Sequence, residues 1–183
     1  MLLQIPRLQK NGRANIRQRA QIVDSSVSPA TAPEAVPQAQ VGALCWRRIG
    51  KRLEVLLITS RDTGRWVIPK GWPIAGLTAA DSAAREAFEE AGVEGKALGD
   101  CIGRYGYLKM LAPQDGLACE VAVYPLQVKA LRDRFPESQQ RRRKWFTPRK
   151  AARKVAEPDL QGLLDGLEQL LSPALPAAKT AKA

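Results

Sequence analysis

Short apolar runs follow one another from about residue 40 to residue 147, and charged residues, glycine or proline separate them. The first two runs are VGALCWRRI at 41–49 and LEVLLITS at 53–60, with only GKR between them. They predict two strands joined by a tight turn. A shorter run, RWVIP at 65–69, predicts a strand that ends at its proline.

Two longer runs predict a hairpin in the second half of the chain. They are ALGDCIGRYGYLKM at 97–110 and LACEVAVYPLQV at 117–128, and APQDG lies between them as the turn. RKWFT at 143–147 predicts a last strand.

Helical spacing of apolar residues dominates the end of the chain. PRKAARKVA at 148–156 and PDLQGLLDGLEQLL at 158–171 each open with proline, which suits the first turn of a helix. Strands, a helix, further strands and then helices predict an α/β fold in which helices cover both faces of a sheet.

An alanine-rich helix is predicted between the two groups of strands. Thr78, with Asp81 three residues later, resembles a capping box in which aspartate replaces glutamate, and the alanines that follow favour helix. Gly92 stands where a left-handed residue would end the helix. The predicted helix therefore covers residues 79–91.

The same helix carries three carboxylates on one face. Glu86, Glu89 and Glu90 are three and four residues apart, so they are neighbours on the helix surface. Like charges at this spacing repel one another unless a cation binds there, and hard divalent cations such as Mg²⁺ prefer oxygen ligands. The trio predicts a metal site at the end of the preceding loop; a solvated acidic helix face is the alternative.

The two ends of the chain differ in composition from its middle. Residues 25–39, SSVSPATAPEAVPQA, are rich in proline, alanine and serine and show no strand or helix period, which predicts a flexible linker. We therefore divide the chain into a basic N-terminal arm and linker at 1–39, a folded domain at 40–171 and a flexible tail at 172–183.

Composition narrows the chemistry. The 183 residues contain 29 Lys and Arg against 18 Asp and Glu, a formal charge of +11, which predicts a polyanionic partner. Histidine is absent, so histidine bases, Ser-His-Asp triads and histidine metal ligands are excluded. The three cysteines lack zinc-site spacing and are odd in number, which favours core positions, a reducing compartment and a cytoplasmic location.

The chain also shows no apolar run as long as a membrane span. Its start is not typical of a secretory signal. It carries arginines and has no acid before Asp24, a composition that would fit an organelle transit peptide in a eukaryote.

Residues 71–93 resemble the signature of the Nudix hydrolases, G-x5-E-x7-R-E-U-x-E-E-x-G-U, in which U is apolar. The matching residues are Gly71, Arg85, Glu86, Ala87, Glu89, Glu90, Gly92 and Val93. The resemblance covers roughly residues 40–171. It implies an α/β/α sandwich with a mixed β-sheet, dependence on Mg²⁺ or Mn²⁺, and hydrolysis of a pyrophosphate.

One position departs from that signature. Leu77 stands where the family has its first glutamate, which supports the metal site. The substitution removes one carboxylate, and Asp81, one turn further along, is a candidate replacement.

The resemblance places the metal on Glu86, Glu89 and Glu90. Cleavage of a pyrophosphate needs charge neutralisation and a positioned water more than it needs a covalent nucleophile. Glu86 is the first candidate for the general base because Arg85 can orient it. Glu120, a charged residue in the apolar run ACEVAVY, is the second, and an exposed edge position is its alternative.

The substrate is predicted to be rich in phosphate. The candidate phosphate-binding residues are Lys70, Arg104, Lys109, Arg141, Arg142 and Arg143, the last three in the strongly basic QQRRRKWF. A solvated basic face is the alternative. The pattern WVIPKG…AAREAFEEAGV…KWF is similar to the Nudix branch that acts on diphosphoinositol polyphosphates and diadenosine polyphosphates.

Two functions of different classes follow from these observations. The first is a metal-dependent pyrophosphohydrolase acting on a nucleoside-diphosphate-linked, dinucleoside polyphosphate or diphosphoinositol polyphosphate substrate. The second is a catalytically weak Nudix-fold module that binds RNA or another polyanion. The intact R-E-x-x-E-E favours the first, and Leu77 with the positive charge favours the second. Few aromatic side chains offer a stacking platform, so nucleic acid is the less favoured partner. The sequence does not determine the oligomeric state.

Overall fold

The computed structural model describes residues 36–112 and 114–172. They form an eight-stranded mixed sheet with helices packed on it, in agreement with the predicted α/β class. The predicted arm, most of the predicted linker and nearly all of the predicted tail lie outside the described residues. No helix within the described part of the chain is long and apolar enough to cross a membrane.

The elements largely follow the predicted runs. The strands are β1 (Gln38–Ile49), β2 (Arg52–Thr59), β3 (Trp66–Val67), β4 (Lys70–Gly71), β5 (Val93–Ala97), β6 (Gly103–Ala112), β7 (Asp115–Leu131) and β8 (Arg143–Phe146). The helices are α1 (Ala79–Ala91), α2 (Pro148–Ala152), α3 (Pro158–Asp165) and α4 (Leu167–Leu170). Because β1 begins at Gln38, the strand includes the last two residues that were assigned to the linker.

Strand β1 lies in the middle of the sheet. It runs antiparallel to β2, with Trp46 opposite Val55, and parallel to β7, with Leu44 opposite Pro125. The order of the main path is β3-β2-β1-β7-β5, while β4, β6 and β8 pair with β1, β7 and β2. Parallel neighbours require a long connection, and α1 lies within the stretch that connects β1 to β7.

Each face of the sheet has its own core, because successive strand residues point to opposite faces. On one face Leu44 and Leu57 pack with Leu160 and Leu164 of α3. On the other face the core contains the strand residues Cys45, Leu56 and Leu126 and the α1 residues Ala83, Ala87 and Ala91. Alanine at these helix positions lets α1 lie close to the sheet. This packing sets the distance between the sheet and the carboxylates that α1 carries.

The structure differs from the sequence prediction at three places. Strand β5, VEGKA, carries no strand pattern and exists because β7 pairs with it, with Val93 opposite Leu131. Residues 98–102, predicted as strand, instead connect β5 to β6, and Gly99 there has a φ of 66°. The last predicted helix breaks at Gly166 into α3 and α4.

Candidate active site

A cavity of about 830 Å³ contains the middle of α1 in its wall. The other walls come from the β2–β3 loop, strand β4, the β6–β7 hairpin and the residues that lead into β8 and α3. Its volume falls in the range of about 300–1,000 Å³ that small-molecule sites occupy. The cavity is therefore the candidate active site.

Helix α1 begins and ends as its sequence predicts. The Thr78 hydroxyl accepts a hydrogen bond from the backbone N–H of Asp81 at 3.1 Å and donates one to the Asp81 carboxylate at 2.7 Å. Gly92 ends the helix in the left-handed conformation, with a φ of 62°. The buried hydroxyl of Ser82 accepts from the backbone N–H of Ile74 at 3.1 Å and so ties the preceding loop to the helix.

The Glu86 carboxylate lies directly against the backbone of Gly71. A Cβ atom added at Gly71 would overlap the Glu86 carboxylate, so a glycine at this position allows the carboxylate to lie where it does. This contact is the physical reason for a glycine fifteen residues before Glu86. Burial, and then the negative charges of Glu89 and Glu137, raise the pKa of Glu86 above its ordinary value.

Glu90 is buried beside the same strand. One of its oxygens accepts a hydrogen bond from the backbone N–H of Lys70 at 3.0 Å, and the other accepts from the Arg141 guanidinium. Burial raises the pKa of Glu90 to about 7, and Arg141 opposes that rise. Glu90 thus joins α1, β4 and the segment before β8.

Glu89 behaves differently from its two neighbours. It forms an exposed ion pair with Arg85 one turn earlier on the helix, and it does not line the cavity. An exposed pair at this spacing contributes only about 0.3–0.5 kcal/mol. A ligand that attracts Glu89 would break this pair at little cost.

The three signature carboxylates share a helix face but do not form a ready-made metal site. In residues 36–112 and 114–172, no three acidic or cysteine side chains are close enough to hold a cation together. The donor chemistry nevertheless fits a hard divalent cation, because Glu86 and Glu90 line the cavity and offer only oxygen atoms. Glu89 would have to leave Arg85 and change its side-chain conformation to join them.

Glu137 is a cavity carboxylate that the sequence reasoning did not identify. It lies near Glu86 and Glu90, since its charge raises the pKa of both. Arg141 donates to Glu137 at 2.5 Å, and Arg61 lies 3.3 Å from its other oxygen. Its only sequence signal is that it is a rare acid in a basic segment, which does not distinguish it from a surface residue.

Two lysines of the predicted phosphate-binding set line the cavity. The Lys70 ammonium lies 4.5 Å from the centre of the Tyr107 ring, and the Lys109 ammonium lies 5.3 Å from the centre of the Trp72 ring. Burial lowers the pKa of Lys70. Neither lysine forms an ion pair with any residue in the described part of the chain, so both are available to a phosphate.

The three consecutive arginines have three different environments. Arg141 lines the cavity, and its side chain is only 7% exposed because it bonds Glu90, Glu137 and the carbonyl of Thr59. Arg143 donates to the carbonyls of Ala91 and Arg132, so it satisfies the C-terminus of α1 and does not reach the cavity. Arg142 is exposed and lies outside the lining. The structure therefore supports only Arg141 of the three as a cavity residue.

Other predicted residues also lie away from the cavity. Glu120 on β7 pairs with Arg104 on β6 at 3.0 Å, and both side chains are exposed outside the lining. Glu120 is exposed, as in the alternative, but it does not lie at an edge of the sheet, because β7 pairs there with Ala39 of β1 and with Gly106 of β6. Asp81 accepts a hydrogen bond from the capping residue Thr78 and does not line the cavity, so it is not placed to replace the missing glutamate. Leu77 is 47% exposed and is not part of the lining.

A separate ion pair also lines the cavity, and the sequence did not predict it. Glu157, just before α3, is buried and accepts a hydrogen bond from Arg65 at 2.6 Å. Its other oxygen is buried without a hydrogen-bond partner among the described residues. The two residues are 92 positions apart, so only the fold brings them together.

Comparisons with known proteins agree with the fold and the signature. The family model described as NUDIX domain matches residues 36–166. Nudix hydrolase 16, mitochondrial, of Arabidopsis thaliana is 37% identical over 119 residues, which cover 63% of this chain and 65% of that protein. The chain thus spans about two thirds of the length of this relative.

Solved structures show the same fold at low sequence identity. The Ap4A hydrolase of C. elegans has a TM-score of 0.57 and 20% identity, covering 74% of this chain and 99% of that chain. The dihydroneopterin triphosphate pyrophosphohydrolase of E. coli has a TM-score of 0.54 and 18% identity, covering 69% and 92%. The signature helix places Glu86 against the signature glycine Gly71, the fold matches, and the family model covers most of the chain. The chain therefore belongs to the Nudix family.

Proposed function

We propose that this protein hydrolyses a phosphoanhydride bond of a small pyrophosphate-containing substrate with the help of a divalent cation. The observation that carries the proposal is the Glu86 carboxylate, fixed against Gly71 in a cavity that also holds Glu90, Lys70 and Arg141. The names of the C. elegans and E. coli neighbours support it, because both describe enzymes that cleave compounds with linked phosphates.

The cation would be held by Glu86 and Glu90, with Glu89 turning from Arg85 to join them. When bound, it neutralises phosphate charge and polarises the phosphorus–oxygen bonds. Whether it is Mg²⁺ or Mn²⁺ stays a prediction.

The side chains of the protein have separate roles in this proposal. Lys70 and Lys109 form no ion pair within residues 36–112 and 114–172, and they would attract and orient the phosphates. Glu86 has a raised pKa and is the first candidate to take a proton from the attacking water. Glu137 replaces Glu120 as the second candidate base, since Glu137 lies in the cavity and Glu120 does not.

A turnover screen tests the proposal. Dinucleoside polyphosphates, nucleotide sugars and diphosphoinositol polyphosphates are incubated with the full chain and Mg²⁺, Mn²⁺ or a chelator, and the products are separated by chromatography. We expect at least one class to be cleaved at its phosphoanhydride bond and chelator to stop the reaction. No turnover in any class, or turnover that chelator leaves unchanged, would overturn the proposal.

Polyanion binding remains a second candidate function because several basic side chains outside the cavity are exposed. They are Arg142, Lys144, Arg149 and Lys150. Salt-sensitive binding of a single-stranded RNA that is lost when Arg142 and Lys144 become glutamine, without change in hydrolysis, would assign this function to that face. A cytoplasmic location, predicted from the cysteines, also stays a proposal.

A further inference from the structure

Arg141 is a cation of the protein itself that lies among the acidic side chains of the cavity. Its guanidinium has a separate partner for each of its three nitrogens. Nη2 donates to Glu90, Nε donates to Glu137 at 2.5 Å, and Nη1 donates to the carbonyl of Thr59 at 3.0 Å. The side chain is only 7% exposed. The positive charge of Arg141 is therefore directed at carboxylates and not at solvent.

The two carboxylates that are candidate cation ligands in the cavity differ in what already bonds them. Glu90 has both oxygens engaged, one by Arg141 and the other by the backbone N–H of Lys70. Glu86 lies against Gly71, and its oxygens take part in no hydrogen bond or ion pair within the ranges 36–112 and 114–172. A divalent cation would thus reach Glu86 without displacing a partner, whereas at Glu90 it would meet a bonded guanidinium.

A cation and a guanidinium on the same carboxylate repel each other. The repulsion is strong at a buried site, because little water lies between the charges to screen them. Arg141 can give up Glu90 without leaving the cavity, since Glu137 and the Thr59 carbonyl hold its other two nitrogens. Exchange of the arginine for a cation at Glu90 therefore breaks one of its three contacts.

We propose that Arg141 competes with the divalent cation for Glu90 and so sets the cation concentration that the protein requires. The inference rests on the proposed function and adds to it a residue that controls cation affinity. While the cation is scarce, Arg141 neutralises Glu90. When the cation is abundant, it takes the carboxylate from Nη2. An arginine that only held Glu90 in position for the cation would have the opposite effect on affinity, so the two roles are distinguishable.

Binding of Mn²⁺ without any substrate tests the inference. The full chain is titrated at about pH 8, above the pKa of about 7 of Glu90, and free Mn²⁺ is measured by its electron paramagnetic resonance signal. Arg141→Gln should bind Mn²⁺ about 5- to 150-fold more tightly than the wild type, which is the usual range for coupling between two binding events. Arg142→Gln is the matched control, because it removes the same charge from an exposed side chain outside the cavity lining, and it should stay within about twofold.

Two further measurements apply if Arg141→Gln folds poorly. A ligand of the folded protein stabilises it in proportion to the logarithm of its affinity, so Mn²⁺ should raise the urea midpoint of Arg141→Gln more than that of the wild type. Arg141→Lys keeps a positive charge but lacks the planar guanidinium that reaches three partners at once. Its Mn²⁺ affinity should lie between those of the wild type and Arg141→Gln.

Two results would overturn the inference. One is Mn²⁺ binding by Arg141→Gln, or by Arg141→Lys if the first variant does not fold, that is no tighter than that of the wild type. Arg141 would then be a residue that positions Glu90 or stabilises the fold. The other is a lack of Mn²⁺ binding by the wild type and the variants alike. Neither result depends on hydrolysis, and the turnover screen with chelator decides the proposed function separately.

Discussion

The two ends of the cavity are built on different principles. At the α1 end, Glu86 lies against Gly71, and Glu90 is held by Arg141 and the Lys70 backbone, so buried charges are fixed by partners. At the other end, which Trp72 and the tip of the β6–β7 hairpin form, the apolar side chains of Trp72 and Leu108 are exposed. At the first end Glu86 and Glu90 are held in place before any ligand arrives and, of the three signature carboxylates, only Glu89 would have to turn, whereas the second end is open to solvent.

Under the proposed function, the contrast would separate the groups that act on the phosphates from those that contact the rest of the substrate. Groups that act on a reacting phosphate have to be in place beforehand, because reorganising them during the reaction raises its barrier. Groups that only hold the rest of the substrate gain free energy from the water that they release on binding. Substitutions at the two ends should therefore differ in kind as well as in size.

The largest effect on stability is expected at Arg141. Arg141→Gln leaves the buried Glu90 without its cation and leaves Glu137 with only the exposed Arg61, and breaking a buried ion pair from one side costs about 3–5 kcal/mol. Arg142→Gln changes the next residue, whose side chain is exposed, and it should change the free energy of unfolding by less than about 0.5 kcal/mol. Urea unfolding of both variants measures this difference. Equal losses would mean that the buried pair is not formed in solution.

The stability of the metal-free protein should depend on pH through Glu90. Burial raises the pKa of this carboxyl from 4.5 to about 7, so its contribution is fully present below about pH 4.5 and is lost as the pH rises through about 7. Between pH 8 and pH 5 the wild type should gain up to about 3 kcal/mol relative to Glu90→Gln, which has no proton to bind. Unfolding curves of both proteins with chelator, recorded at each pH, provide the comparison. A constant difference across this range would contradict the shifted pKa.

Substitution of the signature glycine should affect the α1 end through Glu86. Gly71→Ala places a methyl group where the Glu86 carboxylate lies, so the carboxylate has to turn away; because it is the end of a flexible side chain, the free energy of unfolding should change by less than about 1 kcal/mol. The displaced carboxylate should also reduce kcat by about 10- to 100-fold. Gly106→Ala is the control, since the nearest atom to its added methyl group is the Cys119 carbonyl at 3.9 Å. A kcat that is the same for both variants would show that Glu86 has another position in solution.

The smallest effect is expected at the position where the signature fails. Leu77 is 47% exposed, so Leu77→Glu should change the free energy of unfolding by less than about 0.5 kcal/mol. A carboxylate outside the lining can act on a bound cation only through solvent, which predicts about a twofold to fivefold increase in apparent metal affinity. Leu98→Glu, also exposed but outside the loop, should show no such increase. A large loss of melting temperature in Leu77→Glu would mean that the leucine packs under the loop.

The sequence predicted α1 to the residue because its determinants are local. Thr78, Asp81 and Gly92 act within a few residues of the helix ends, and the alanine spacing marks the buried face. Strand β5 was not predicted because VEGKA becomes a strand only through pairing with β7. Helix α3 was predicted, but its break at Gly166 was not.

The site was predicted only in part, for the same reason. Glu86 and Glu90 were identified because the signature lies within one loop and helix. Glu137, Arg65 and Glu157 enter the cavity through contacts between distant parts of the chain, and no local pattern marks them. In the sequence, the consecutive arginines 141–143 predict one basic patch. In the fold, successive side chains of this run have unrelated partners.

The most direct test of the account is the turnover of Glu86→Gln beside that of Glu94→Gln. Both variants remove one carboxylate from the same part of the chain, but Glu94 is on β5 in an ion pair with Arg132, outside the cavity. With the best substrate of the screen and saturating Mg²⁺, Glu86→Gln should lower kcat on the order of 100-fold or more while the melting curve shows a folded protein. Glu94→Gln should stay within about twofold of the wild type, because an exposed pair contributes little. Wild-type kcat in a folded Glu86→Gln protein would contradict the claim that this carboxylate, held against Gly71, is the centre of the active site.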